Sequence, residues 1–177
     1  LAEIWFLRAE AALRGWTPED EEECYLIGVK ASFDQHGICQ VDDYLNSERT
    51  AADFTDTYDA ENNIPARCRV SPKWNPADDK EVKLEKIITQ KWIAMFPEGC
   101  EAWAEQRRTG YPRLFPDALT IAETGVIDTE TMIRRLNFPV TLQTEDKEQY
   151  SALVEALNGP DHGGTRLWWD TGNNRLD

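Results

Sequence analysis

The sequence is poor in the residues that build metal and redox sites. It has two histidines and four cysteines, and the cysteines are far apart in the chain: Cys24, Cys39, Cys68 and Cys100. Structural zinc sites and redox motifs need closely spaced cysteine or histidine pairs. We therefore expect no metal site and no cofactor. The spacing favours isolated buried thiols over disulfides, although an exported location would make disulfides more plausible.

Catalytic motifs are also missing. The sequence contains no GxSxG nucleophile elbow, no HExxH helix and no glycine-rich phosphate loop. His36 and His162 stand in polar, glycine-adjacent segments, where surface positions are expected. We therefore predict no catalytic residue and a protein that is not an enzyme. One alternative stays open, an acidic glycoside hydrolase fragment, because 33 acidic residues always offer some carboxylate pair.

Positive charge and long apolar runs are scarce. The 177 residues include 19 basic and 33 acidic side chains, for a net charge of −14. Such a surface repels phosphates and anionic lipids, so nucleic acid and membrane surfaces are not expected partners. No apolar run approaches the roughly 20 residues that span a bilayer. The chain lacks a signal peptide and a starting Met, and we interpret it as a piece whose N-terminal part is missing.

The most patterned stretch runs from Glu85 to Pro112, and its apolar stripe begins one residue earlier. Apolar residues recur there at three- and four-residue steps, which predicts one helix with a buried stripe: Leu84, Ile88, Trp92 and Met95. Pro97 and Gly99 should end this helix after Phe96. A second, shorter helix follows, and Gly110 is placed as its C-terminal cap, where a positive φ is expected.

The N-terminal third predicts a pair of antiparallel helices. Residues 1–16 carry an apolar stripe with small members: Ala2, Trp5, Ala9, Ala12 and Leu13. Thr17 and Pro18 are suited to the N-cap and first position of the next helix. That helix presents one apolar face: Tyr25, Gly28, Val29 and Ser32. The pair has roughly the length of a tetratricopeptide repeat.

Four segments are distinctive: FLRAEAALRGW at residues 6–16, QKWIAMF with EGCEAWAEQRRTGYP at 90–112, IRRLNFP at 133–139, and RLWWD at 166–170. They resemble segments of the SusD/RagB family of outer-membrane nutrient-binding lipoproteins, and they occur in the family's order. The phrase after residue 139 departs from the family's usual polar continuation. The resemblance implies a mainly α fold with a tetratricopeptide-like helix pair, a helical hairpin and long ordered loops.

The resemblance also carries functional expectations. Residues 1–177 would be the C-terminal portion of a SusD-like domain in a surface-exposed lipoprotein of the outer membrane. That protein would bind glycans without catalysis and deliver them to a SusC-like TonB-dependent transporter. A lipid anchor would lie in the N-terminal part outside this chain. Alternatives are a peptide-binding lipoprotein of the RagB type and a helical scaffold whose concave face binds peptides.

Residues 35–79 lose helical periodicity apart from a helical turn predicted at 41–45. Trp74, between Pro72 and Pro76, is the candidate for a ligand-binding residue, because an exposed indole can stack on a sugar. Packing onto the core is the favoured interpretation of this residue. The resemblance transfers no other ligand residue, since family glycan sites are built largely from segments that precede this region. Asp53, Asp56 and Asp59 lack the calcium-loop pattern and favour a solvated loop.

Two pairs of adjacent arginines and one pair of adjacent tryptophans are further candidates for ligand contact. Arg107–Arg108 and Arg134–Arg135 could clamp an anion, but internal pairing with the abundant carboxylates is favoured. Trp168 and Trp169 are adjacent, and neighbouring residues of an extended chain point to opposite sides. We therefore expect at most one of the two to face a ligand.

Overall fold

A computed structural model describes residues 1–115, 126–127 and 132–172. Within these residues the chain is mainly helical, as the resemblance implied, and it forms two compact units, Leu1–Phe115 and one within Pro116–Asn174. The first unit contains five α-helices: α1 (Ala2–Leu13), α2 (Glu21–His36), α3 (Val41–Leu45), α4 (Lys80–Ala94) and α5 (Gly99–Thr109). The second unit contains α6 (Val140–Glu145) and α7 (Lys147–Leu157).

Helices α1 and α2 form the expected antiparallel pair. Phe6 of α1 packs on Gly28 of α2, where an added Cβ would stand only 2.8 Å from the Phe6 ring. The buried stripe of α1 is Ala2, Phe6, Ala9 and Leu13, so Phe6 takes the inward place that the sequence suggested for Trp5. The N-cap of α2 was also predicted wrongly. It is Asp20, whose carboxylate accepts a hydrogen bond of 2.8 Å from the Glu23 amide, and not Thr17.

Helix α4 is the centre of the first unit. It packs against α1, α2 and α5, and it is buried on more than one face. Leu84, Ile88 and Met95 are buried as predicted, whereas Trp92 is only half-buried. Ile87 is buried as well. The helix ends at Ala94, two residues before the predicted end, because the turn that leads into Pro97 begins at Met95.

Helix α5 ends as the sequence predicted. Gly110 has φ 78° and its amide donates a 2.8 Å hydrogen bond to the Gln106 carbonyl. After this left-handed cap the chain turns into the core, where Tyr111 is fully buried. The Tyr111 hydroxyl donates to the Glu81 carboxylate of α4 at 2.8 Å. The cap thus directs the chain from the end of α5 back onto α4.

The segment between α2 and α4 is a long ordered loop with two local elements. The predicted helical turn is present as α3. Further on, Phe54 and Ile64 form an isolated antiparallel bridge, which closes a protruding loop around a short 3-10 turn at Ala60–Asn62. The remainder runs across the core of the first unit to the start of α4.

The second unit is built around α7. Its inward face is Tyr150, Leu153, Val154 and Leu157, all half-buried. Asp146 caps its start by accepting a 3.0 Å hydrogen bond from the Gln149 amide, and Asn158 ends it with φ 56°.

Candidate functional site

Trp74 is part of the core of the first unit. Only 7% of its surface is exposed, and its ring centroid lies 4.9 Å from that of Tyr25. Lys83 of α4 approaches the same ring, with Nζ 5.5 Å from the ring centroid. The favoured packing interpretation therefore describes the position of this residue, and its ring is not presented to solvent for stacking on a sugar.

Two polar anchors hold the Trp74 segment against the helices. The Tyr25 hydroxyl donates a buried 2.6 Å hydrogen bond to the Pro72 carbonyl. The Lys86 ammonium donates at 2.6 Å to both the Lys73 carbonyl and the Asp78 carboxylate. Burial raises the pKa of Tyr25, so its hydroxyl stays protonated as the donor. These bonds on both sides of Trp74 explain why a proline-rich loop lies so deep.

A second loop protrudes from the first unit, and we call residues 53–66 the Tyr58 loop. Phe54 and Ile64 exchange two backbone hydrogen bonds at its base, of 2.9 and 3.1 Å. Below them, the Asp53 carboxylate accepts a 2.8 Å bond from the Ala66 amide. The base of the loop is thus closed by backbone pairing and one side-chain cap.

Asp56 organises the interior of the Tyr58 loop. Its carboxylate accepts hydrogen bonds from the amides of Tyr58 at 2.7 Å and Asp59 at 3.2 Å, and from the Asn62 side chain at 2.9 Å. The amide of Tyr58, followed by Asn62 and the amide of Asp59, lowers the pKa of Asp56. Among the described residues no group of three or more histidine, cysteine or acidic side chains could hold a metal. Asp53, Asp56 and Asp59 of this loop accept hydrogen bonds from backbone amides.

The tip of the loop presents an aromatic ring to solvent. Tyr58 is 99% exposed, the highest exposure among the large hydrophobic side chains that the structure describes. No other described aromatic or cationic side chain stacks on its ring. The sequence signal for this residue is a tyrosine among turn-forming Asp and Thr residues, in a stretch that has no sustained helical periodicity.

The first arginine pair is engaged within the protein, which is the favoured sequence interpretation. Arg108 binds the carboxylates of Glu10 and Glu105, with shortest distances of 2.6 and 2.7 Å. The Arg107 guanidinium lies 3.8 Å from the centroid of the Trp103 ring. The acceptors of Arg108 are thus protein carboxylates and not an external anion.

The second arginine pair is engaged in the same way within the second unit. Arg134 donates to Asp170 at 2.7 Å, and Arg135 donates to Asp161 at 2.6 Å. Burial tends to raise the pKa of Asp161, but the hydrogen bonds from Arg135, the Phe138 amide and Tyr150, together with the charge of Arg135, outweigh burial and lower it. Trp168 is 92% exposed and Trp169 is half-buried.

A shallow groove lies beside Trp5, between α1 and α2. It encloses about 490 Å³, and its walls are Leu1, Trp5, Ile27, Lys30, Ala31, Asp34 and Gln35. The Arg8 guanidinium stacks on the Trp5 ring at 3.8 Å and also pairs with Glu19. One face of the indole is therefore already occupied.

The comparisons with known proteins decide the family. The family model described as SusD-like, Susd and RagB outer membrane lipoprotein, matches residues 1–170. This chain belongs to the SusD-like family. It is 48% identical to a chitin-binding SusD homolog from Flavobacterium johnsoniae, with a TM-score of 0.90 over 96% of this chain and 36% of that one. No curated protein matches the chain.

Two further solved structures agree. A SusD homolog from Bacteroides vulgatus is 50% identical, with a TM-score of 0.89 over 98% of this chain and 35% of that one. A SusD-like protein from Bacteroides thetaiotaomicron is 37% identical, with a TM-score of 0.89 over 98% of this chain and 37% of that one. The SusD-like chain described here thus spans little more than a third of these relatives. No described helix is long and apolar enough to cross a membrane.

Proposed function

We propose that this chain is the C-terminal portion of a SusD-like lipoprotein that captures glycans at the outer-membrane surface without catalysis. The observation that carries the proposal is its likeness to the chitin-binding homolog, at 48% identity over 96% of this chain. A second support is the family description, which names outer membrane lipoproteins. Because the chain spans about a third of its relatives, the ligand and the location belong to the complete protein.

The charge of the chain favours an uncharged or basic ligand. Its net charge of −14 generates a negative potential that repels acidic polysaccharides. The arginines most suited to bind a carboxylate or sulfate already bind internal acids: Arg108, Arg134 and Arg135. A neutral glycan, such as chitin or starch fragments, is not repelled by the negative charge and needs no arginine to bind it.

Calorimetry of the complete protein would test the proposal. We expect binding of neutral oligosaccharides from a panel that includes chitin and starch fragments, acidic oligosaccharides and peptides. No new reducing ends should appear on prolonged incubation, whereas their release would favour the glycoside hydrolase alternative. Binding of peptides but of no glycan would favour the RagB-type alternative. Binding of proteins only would favour the helical scaffold.

Delivery to a SusC-like TonB-dependent transporter is the second step that we propose. Family membership supports it, since a lipoprotein on the outer surface needs a channel to move its ligand across the membrane. Affinity purification of the complete protein from solubilised outer membranes should recover such a transporter in near-equal amount. Recovery of the lipoprotein alone under mild detergents would count against a stable pair.

A further inference from the structure

We propose that Tyr58 is a sugar-stacking residue, the aromatic glycan contact that this chain contributes to the complete protein. The inference rests on the proposed glycan capture and adds to it a residue, a loop and a preferred ligand class. It assigns to the tip of the Tyr58 loop the role that the sequence interpretation considered for Trp74. The ligand would be a neutral or basic pyranose, with a C–H face laid on the phenol ring.

The exposure of the ring is the first argument. Within the part of the chain that the structure describes, 99% of the Tyr58 surface is exposed, so both faces of the ring are open there, and burying that area against a ligand is favourable. The buried tyrosines of the same unit, Tyr25 and Tyr111, satisfy their hydroxyls inside the core. Tyr58 differs from both because no described side chain covers its ring.

The order of the loop is the second argument. Asp56 accepts three hydrogen bonds from the tip, and the Asp56 amide donates to the Asn63 side chain at 2.8 Å. Asp59 accepts a further bond of 2.9 Å from the Glu61 amide. The backbone that carries Tyr58 is therefore arranged before any ligand arrives, which lowers the entropy lost on binding. An exposed loop without this network would lose more freedom for the same contact.

The chemistry around the ring is the third argument. Thr57 and Asp59 flank Tyr58 and are exposed, and Glu61 is exposed nearby on the same loop. Hydroxyl and carboxylate groups beside an aromatic face match the alternation of C–H surface and hydroxyl rim on a pyranose. The carboxylates favour donors, which are hydroxyl, amide and ammonium groups of a sugar, and disfavour uronic or sulfated sugars.

A protein partner fits this tip less well than a sugar does. Protein interfaces bury hot-spot aromatics at the centre of a wider, charge-poor contact area. Thr57 and Asp59, which flank Tyr58, are exposed and polar or acidic, and the large apolar residues Phe54 and Ile64 lie at the base of the loop. A single ring in a polar setting matches a small polyhydroxylated ligand.

The test compares variants of the complete protein in calorimetry with chitin oligosaccharides and neutral starch oligosaccharides. We expect Tyr58→Ala to weaken binding about tenfold, the size of one aromatic contact, and Tyr58→Phe to retain most of the affinity. Asp56→Ala keeps the ring but removes the network, so it should weaken binding by a smaller factor with a less favourable entropy. Trp16→Ala, at another exposed aromatic of the same unit, is the matched control and should leave affinity unchanged.

A direct readout of the ring completes the test. With 3-fluorotyrosine incorporated, the fluorine resonance of Tyr58 is identified by its loss in Tyr58→Phe, and the bound glycan should shift it. The buried Tyr25 resonance serves as an internal reference. Glycan binding with no shift of the Tyr58 resonance and no loss of affinity in Tyr58→Ala would overturn this inference and leave the proposed function intact. A wild-type protein that binds no glycan would overturn both.

Discussion

Arg108 donates two hydrogen bonds to Glu10, a residue 98 positions earlier in the chain, at 2.7 and 2.6 Å. The same guanidinium binds Glu105 at 2.7 Å, and Glu105 also accepts a 3.0 Å bond from Lys91. These four residues connect α1, α4 and α5 through a single polar network. Because Glu10, Glu105 and Lys91 are buried, each charge depends on the others for compensation.

Replacement of Glu10 by glutamine should destabilise the first unit. The amide keeps the shape of the side chain but removes the charge that Arg108 and Arg14 face. We expect the free energy of unfolding to fall by about 1.5–3 kcal/mol, the range for hydrogen bonds to charged groups. The lower part of this range is favoured because Arg108 is partly exposed. Urea unfolding of wild type and variant measures the difference.

Glu19→Gln is the matched control, because Glu19 binds Arg8 at the surface. Exposed ion pairs contribute little, so the unfolding midpoint of this control should hardly move. Equal loss of stability in both variants would show that the network joining α1 to α5 stabilises the protein no more than the surface pair of Glu19 and Arg8 does.

The same carboxylate predicts sensitivity to acid. Burial tends to raise the pKa of Glu10, but the bonds and charges of Arg108 and Arg14 outweigh burial and hold it below its ordinary value of 4.5. A carboxylate with a lowered pKa in the folded state stabilises the fold above its unfolded pKa and loses this contribution as the pH falls through its folded pKa. The thermal unfolding midpoint should therefore fall as the pH is lowered below 4.5. This fall should be less steep in Glu10→Gln.

Much of the fold follows from local sequence patterns. The helix pair, the turn at Val41–Leu45 and the positive φ of Gly110 were all predicted, because capping and periodicity act over a few residues. Family membership was recognised from short phrases in order. These features depend little on which distant segments come together.

Features that depend on distant contacts were not predicted. The choice of Phe6 over Trp5 as the inward residue of α1 follows from the gap that Gly28 leaves on α2. The burial of Lys91 becomes acceptable only once Glu105 faces it. Tyr58 was not selected from the sequence for a related reason, since an isolated tyrosine shows its exposure only when the loop that carries it is known.

Substitution of Gly28 by alanine should destabilise the protein, although alanine favours helices. The new Cβ would meet the Phe6 ring at 2.8 Å, and Phe6 is fully buried, so it has no free space to move into. Overpacking lowers the free energy of unfolding by about 1–3 kcal/mol, and the better helix propensity of alanine offsets up to about 1 kcal/mol of that loss. A net loss measured by urea unfolding is expected.

Gly99→Ala gives the comparison for Gly28→Ala, because no atom lies within 4 Å of a Cβ at Gly99. This variant should be neutral or slightly stabilising. The double variant Gly28→Ala/Phe6→Leu should lose less stability than the sum of its single changes, since the smaller side chain relieves the contact. Strict additivity would show that the two residues do not compete for space.

Trp74→Ala tests whether this tryptophan serves the core or a ligand. Removal of a buried large aromatic costs about 3–5 kcal/mol, and here the Tyr25 ring would lose its partner. Trp74→Phe should recover much of that loss, while Trp168→Ala, at a 92% exposed site, should change stability by less than about 0.5 kcal/mol.

Affinity separates the two roles of Trp74. Because the indole is buried behind the Pro72 and Lys73 anchors, the complete protein carrying Trp74→Phe should bind glycans as tightly as wild type does, at a temperature where both are folded. Tyr58→Ala should show the opposite pair of results, weaker binding with unchanged unfolding, because its ring touches no other described aromatic. Loss of affinity without loss of stability in Trp74→Phe would instead place the ligand at Trp74 and require this loop to open.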